Sequence, residues 1–149
     1  MKIDTNVLTA SYIYVSKMLL GYDKLQEKNK VILDSVIDIC NHFLNNEVDE
    51  YANQLFFLKK IECNVRKHEL NIDEKNAILE ILDATSDNFI RLICHILLGN
   101  INMIEYVYNK MNEDQKELFS GNSIKFFLKN TNLNEEIKII TEQTFKHLP

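Results

Sequence analysis

The stretch Ser86–Met111 reads SDNFIRLICHILLGNINMIEYVYNKM and carries the clearest architectural signal in the chain. Between Ser86 and Leu98 the residues Phe89, Ile90, Leu92, Ile93, Ile96, Leu97 and Leu98 leave only Arg91 and His95 strongly polar once a helix is under way. Apolar side chains then cover most of the circumference, and such a helix has to be enclosed by other helices. Ser86 stands where an N-terminal cap is needed. Gly99 ends the run, because glycine enters the left-handed conformation that closes a helix at no steric cost. Beyond it Ile101, Ile104, Tyr108 and Met111 share one stripe, so the two halves read as an antiparallel helical pair turning at Gly99-Asn100. This signal is architectural and carries no chemistry.

Helical spacing recurs along the rest of the chain. Leu8, Tyr12, Val15 and Leu19 predict a helix from about Thr5 to Leu20, with Gly21 as its stop. Lys24, Lys28 and Lys30 form a basic connector to a second helix, whose inner face is Ile32, Val36, Ile39 and Phe43 and whose stop is Asn45-Asn46. A third helix, from about Val48 to His68, sets Tyr51, Leu55, Leu58, Ile61 and Val65 inward and Lys59, Lys60, Arg66 and Lys67 outward. Asn71 with Glu74, Asn112 with Gln115 and Asn132 with Glu135 have capping-box spacing and open later helices. Gly121-Asn122 marks a turn before the apolar cluster Ile124–Leu128. No segment alternates as a strand does. The reading is an all-α protein of seven or eight helices, arranged as a compact bundle or a short solenoid-like array of antiparallel hairpins in a single domain spanning residues 1–149.

Composition agrees. The chain is 46% hydrophobic, enough for one core, and its single Pro and three Gly give little to break long helices. Asn and Ile, about 18 of each, give the bias of an AT-rich genome or a mobile element. The three cysteines Cys40, Cys63 and Cys94 are odd in number and set among apolar residues, as reduced core thiols are. No signal peptide is evident, and the apolar runs fall short of the roughly 18 to 20 residues of a membrane span. The expected setting is soluble and cytoplasmic, with no membrane partner.

The net charge of −5 is unevenly distributed. Met1–His68 holds 9 acids and 9 bases, whereas Glu69–Leu118 holds 10 acids and 4 bases. That middle segment repels nucleic acid and attracts basic partners.

The hairpin at Gly99 resembles a tetratricopeptide-repeat helical pair, with Gly99, Asn100, Ile101, Asn102, Ile104, Tyr108, Lys110 and Met111 at comparable places. The resemblance covers about 26 residues; Ile104 replaces the small residue of that pattern, Ile101 the aromatic, and no copy follows at roughly 34 residues. It implies a protein-binding surface and no catalysis.

Chemistry is sparse. Cys40 with His42, Cys63 with His68 and Cys94 with His95 lack the paired spacing of a zinc site, so no metal and no cofactor is expected. Arg91 and His95 share one side of a helix, which resembles the Arg and His of HEPN ribonucleases. That resemblance would give them phosphate-handling and acid-base roles, although those enzymes have four to six residues between the pair and this chain has three, Leu92-Ile93-Cys94. The local alternative pairs Arg91 with an acid such as Asp87. No phosphate loop, nucleophile elbow or His-Glu-x-x-His motif occurs, so no catalytic residue is assigned.

The leading expectation is a non-enzymatic binding protein, a small acidic inhibitor of the immunity or antitoxin kind that occludes a basic toxin or nuclease domain. Its contact residues would be Asp73, Glu74, Glu80, Asp83, Asp87, Glu113, Asp114 and Glu117. The alternatives are a peptide-binding adaptor, which requires Tyr106 or Tyr108 to be accessible, and a ribonuclease using Arg91 and His95.

Overall fold

A computed structural model describes residues 3–129 and 131–146, and every regular element among them is a helix. The protein is all-α. Its elements are α1 (Thr5–Lys24), α2 (Lys30–Leu44), α3 (Glu50–Asn64), α4 (Ile72–Ala84), α5 (Asn88–Leu98), α6 (Ile101–Lys110), α7 (Glu113–Ser120), a 3₁₀ helix (Ser123–Leu128) and α8 (Glu135–Lys146). The chain divides into two compact units, Met1–Glu74 and Lys75–Pro149. Among the described residues no helix is long and apolar enough to cross a membrane.

In the first unit α2 packs against both α1 and α3. One aromatic from each helix closes the core: Phe56 stacks on Phe43 at 4.6 Å between ring centres and meets Tyr12 edge-on at 5.9 Å. Gly21 does not end α1, contrary to expectation. The helix runs on through Tyr22, which is buried, and Asp23, which pairs with Arg66 of the same unit. Lys28 then donates to the carbonyls of Tyr22 and Asp23 at 3.1 and 2.9 Å, satisfying the acceptors that a helix end leaves open. A glycine inside a helix costs only about 1 kcal/mol against alanine, less than these contacts return. At the far end of the unit, α3 stops at Asn64, where Arg66 and Lys67 N–H groups bond three residues back and tighten the turn. Tyr51, expected inside, is exposed in the first turn of α3.

In the second unit α5 is the interior element. Phe89, Ile90, Leu92, Ile93, Cys94 and Ile96 are buried, and α6, α7 and the 3₁₀ helix pack around them. The cap is Asp87 rather than Ser86: its Oδ1 accepts from Ile90 N at 2.9 Å, and a carboxylate at that end also meets the favourable pole of the helix dipole. Gly99 closes α5 at φ 73°, the only positive φ among the described residues, and Asn100 N then donates to the His95 carbonyl at 2.9 Å. The buried stripe of α6 is Ile104, Val107 and Tyr108, followed by Met111, while Ile101 remains 43% exposed at the first position of the helix. Both capping boxes, Asn71 with Glu74 and Asn112 with Gln115, form with reciprocal bonds of 2.8 and 3.0 Å. The last helix is entered from Asn134, not Asn132, since the Asn134 side chain accepts from Ile137 N at 3.1 Å. All three cysteines are free and buried, and burial pushes the Cys40 and Cys94 thiols up to about 12 and Cys63 up to about 11.

Lys125 is a fully buried ammonium in this unit, donating to the carbonyls of Ser120, at the end of α7, and Ile140 of α8. Burial lowers it from the ordinary 10.5 to about 8. Between those values the unfolded chain keeps a proton that the folded chain has released, so the stability of the second unit rises with pH across that window. Urea unfolding at about pH 7 and about pH 10 should differ by roughly 2 kcal/mol in this sense, relative to the same pair of measurements on Lys125→Met. Equal pH dependence in the two proteins would contradict the burial of that charge.

Candidate functional site

Charges are arranged differently in the two units. In the first, α1 and α3 enclose a cluster that the sequence pattern places elsewhere. Lys59 and the side chain of Arg66, expected on the outer face, are buried, each 2% exposed. Lys59 Nζ lies 2.6 Å from Glu62 Oε1 and 4.9 Å from the centre of the Tyr12 ring. Arg66 bonds Glu62 Oε2 at 2.9 Å and grips both oxygens of Asp23, Nε to Oδ1 at 2.9 Å and Nη2 to Oδ2 at 2.8 Å. Burial raises the Asp23 carboxyl above its ordinary value, with Arg66 opposing, and burial lowers the Lys59 ammonium, with Glu62 opposing. Two acids and two bases leave the cluster neutral. It fixes α1 to α3 and offers no open face to a ligand.

Helical spacing held a trace of this cluster. Leu55, Lys59, Glu62 and Arg66 continue a single 3–4 stripe, so charges of alternating sign extend an apolar face. Burial of such a row requires an acid from another helix. Asp23 supplies it from 43 residues away, beyond the reach of any local pattern.

The eight acids proposed as contacts separate into two groups. Asp73 and Glu74 belong to the first unit, and the other six to the second. Glu74 is engaged in its capping box, accepts from Asn64 Nδ2 at 3.4 Å and lies 3.9 Å from His68. Asp87 is engaged as well, capping α5 through one oxygen and accepting from Gln115 Nε2 through the other at 3.5 Å. That second bond sets the start of α5 beside the first turn of α7, which carries Glu113 and Asp114. Glu113 and Glu117 project from α7, and Glu80 and Asp83 from the last turns of α4; all are exposed, as is Asp114. Among the described residues none of these five has a basic group within 4 Å.

Next to this group the Tyr108 hydroxyl donates to Glu136 Oε1 at 3.3 Å, and Lys116 stands 4.9 Å over its ring and 3.9 Å from Glu136. Burial first, then the charges of Glu136 and Glu113, push that hydroxyl up to about 12. Tyr108 is buried, whereas Tyr106 is 51% exposed.

Arg91 and His95 do not assemble as an acid-base pair open to substrate. Arg91 Nη1 donates to Asn88 Oδ1 at 3.1 Å, so its partner is Asn88 and not Asp87. His95 is 6% exposed, with Nδ1 at 3.2 Å from Asn100 Nδ2. Burial, and then the Arg91 charge, hold its imidazole below the ordinary range. Each of the Cys–His neighbours lacks a third ligand: among the described residues no three His, Cys, Asp or Glu side chains gather to hold a metal ion.

No protein-family model, no curated protein and no solved structure matches the chain.

Proposed function

We propose that the chain is a non-enzymatic protein-binding protein, an inhibitor of the immunity or antitoxin kind, acting in the cytoplasm on a partner with a basic surface. The observation that carries this reading is the exposure of Glu80, Asp83, Glu113, Asp114 and Glu117 with no basic group within 4 Å among the described residues. None of them is held in an ion pair among those residues, so their carboxylates are available to steer a cationic surface and to oppose a polyanion such as nucleic acid. Asp73, Glu74 and Asp87 are lesser contributors, since Glu74 and Asp87 already hold helix ends.

The test uses residues with no structural duty. A variant carrying Glu80→Lys, Asp83→Lys, Glu113→Lys and Glu117→Lys is compared with the parent chain for capture of proteins from the native host. The expected partner is basic, is held by the parent at about 0.05 M salt, is released by about 0.5 M salt, and is missed by the variant. Where rates are measurable, association should slow at least tenfold on charge reversal. Capture that is indifferent to both salt and charge reversal defeats the reading. A peptide-binding adaptor is a second reading, favoured by the exposure of Tyr106.

A further inference from the structure

Between α1 and α2 lies an open groove of about 640 Å³. The sequence of α1 makes room for it. Leu8, Tyr12, Val15 and Leu19 turn that helix toward the core, and its flank beside α2 is then held by Ala10 and Ser11, whose short side chains leave the space between the helices unfilled. On the other wall Ile39 and Phe43 give an apolar surface. Phe43 is 5% exposed and stacks on Phe56 at 4.6 Å, while the His42 ring meets it nearly at right angles at 5.2 Å, so that wall is braced by packed rings. Tyr14, 59% exposed, lines the groove from α1, and Asp38, also exposed, lines it from α2.

Size and charge together select an occupant. The volume is that of a site for one small molecule. The lining runs only from Ala10 to Tyr14 on one helix and from Asp38 to Phe43 on the other, roughly 6 to 8 Å at about 1.5 Å per residue, too short for the successive turns of a docked helix. It contains one carboxylate, Asp38, and no lysine or arginine, so it attracts a cation and opposes a phosphate or a carboxylate. Asp34, one turn away on α2, is taken up by Lys67 at 2.8 Å, which leaves Asp38 as the acid that faces the groove. The face of an aromatic ring such as that of Tyr14 favours the same sign of charge. A metal ion is a poorer match: Asp38 and His42 would supply two ligands, and among the described residues no third gathers with them. We propose that the groove binds a small organic cation, a protonated amine joined to one flat apolar ring, with the ring against Ile39 and Phe43 and the ammonium between Asp38 and Tyr14. The site lies within the first unit and does not draw on the exposed acids of the second.

Titration of the full chain with phenethylamine at constant ionic strength, followed by nuclear magnetic resonance at the His42 and Phe43 rings, tests the site. Saturable shifts with a Kd of about 1 mM are expected, the strength open to a ligand of this size. Phenethyl alcohol and hydrocinnamate keep the ring but carry no charge and a negative charge, and should bind at least about fivefold more weakly. Asp38→Asn should weaken the amine about tenfold and leave the alcohol unchanged, which separates recognition of charge from loss of shape. Ala10→Leu fills the groove and should abolish both, whereas Glu27→Gln, at an exposed acid of the α1–α2 connector, should alter neither. Ala10 and Asp38 are exposed, so their variants retain the fold. Shifts that never saturate, an alcohol that binds as tightly as the amine, or amine binding indifferent to Asp38→Asn would overturn the proposal. Tighter binding of N-acetylarginine amide than of phenethylamine would assign the groove to a side chain of a protein partner and overturn it as well.

Discussion

Replacing Glu62 by Gln is expected to lower the stability of the first unit by about 3–5 kcal/mol, the usual cost of removing one member of a buried ion pair. Glu62 is 1% exposed and bonds both Lys59 and Arg66, so the substitution preserves its shape but leaves the cluster with one uncompensated positive charge. Water cannot reach that charge, and Asp23 is already gripped by Arg66. The control is a double replacement, Lys59→Met with Glu62→Met. It removes one charge of each sign, leaves the Arg66–Asp23 pair neutral, and should restore most of the lost stability. Chemical unfolding of the three proteins reads both effects. A Glu62→Gln loss below about 1 kcal/mol would mean that the cluster is solvated and the pairing incidental.

The contrast between this cluster and the rest of the fold shows what a sequence can disclose. The α5 helix, its glycine and the start of α6 were legible because periodicity and capping are local: Phe89, Ile93 and Ile96 recur at helical spacing, and Gly99 supplies a conformation that other residues avoid. The two reciprocal capping boxes were legible for the same reason. The position of Lys59 and Arg66 was not, because a lone charge belongs outside and only a distant acid reverses that preference. Gly21 misled in the same way, since the contacts that extend α1 past it come from Lys28 and Arg66. At the helix starts the error was smaller: Asp87 displaced Ser86, and Asn134 displaced Asn132, each a choice between two competent caps. As for the acids, sequence identified a charge-rich segment but could not separate Asp87 and Glu74, which hold helix ends, from Glu80, Asp83, Glu113 and Glu117, which do not.

The enclosure of α5 underlies the placement of every outward group in the second unit. With its buried residues from Phe89 to Ile96 covered by α6, α7 and the 3₁₀ helix, what remains of that helix to meet a partner is its edges, the partly exposed Asn88, Arg91, Leu97 and Leu98, together with the outer faces of its neighbours. Phe89 has no exposed surface, and truncating it to alanine removes a ring from a packed interior whose neighbours collapse only in part. Ile101 lies on the neighbouring helix, is 43% exposed, and provides the comparison. The decisive measurement is the unfolding free energy of Phe89→Ala and Ile101→Ala against the parent chain. A loss of about 3–5 kcal/mol for Phe89→Ala, with a change within about 0.5 kcal/mol for Ile101→Ala, is the predicted result. Equal, small effects at both positions would show that α5 is not the enclosed center of its unit.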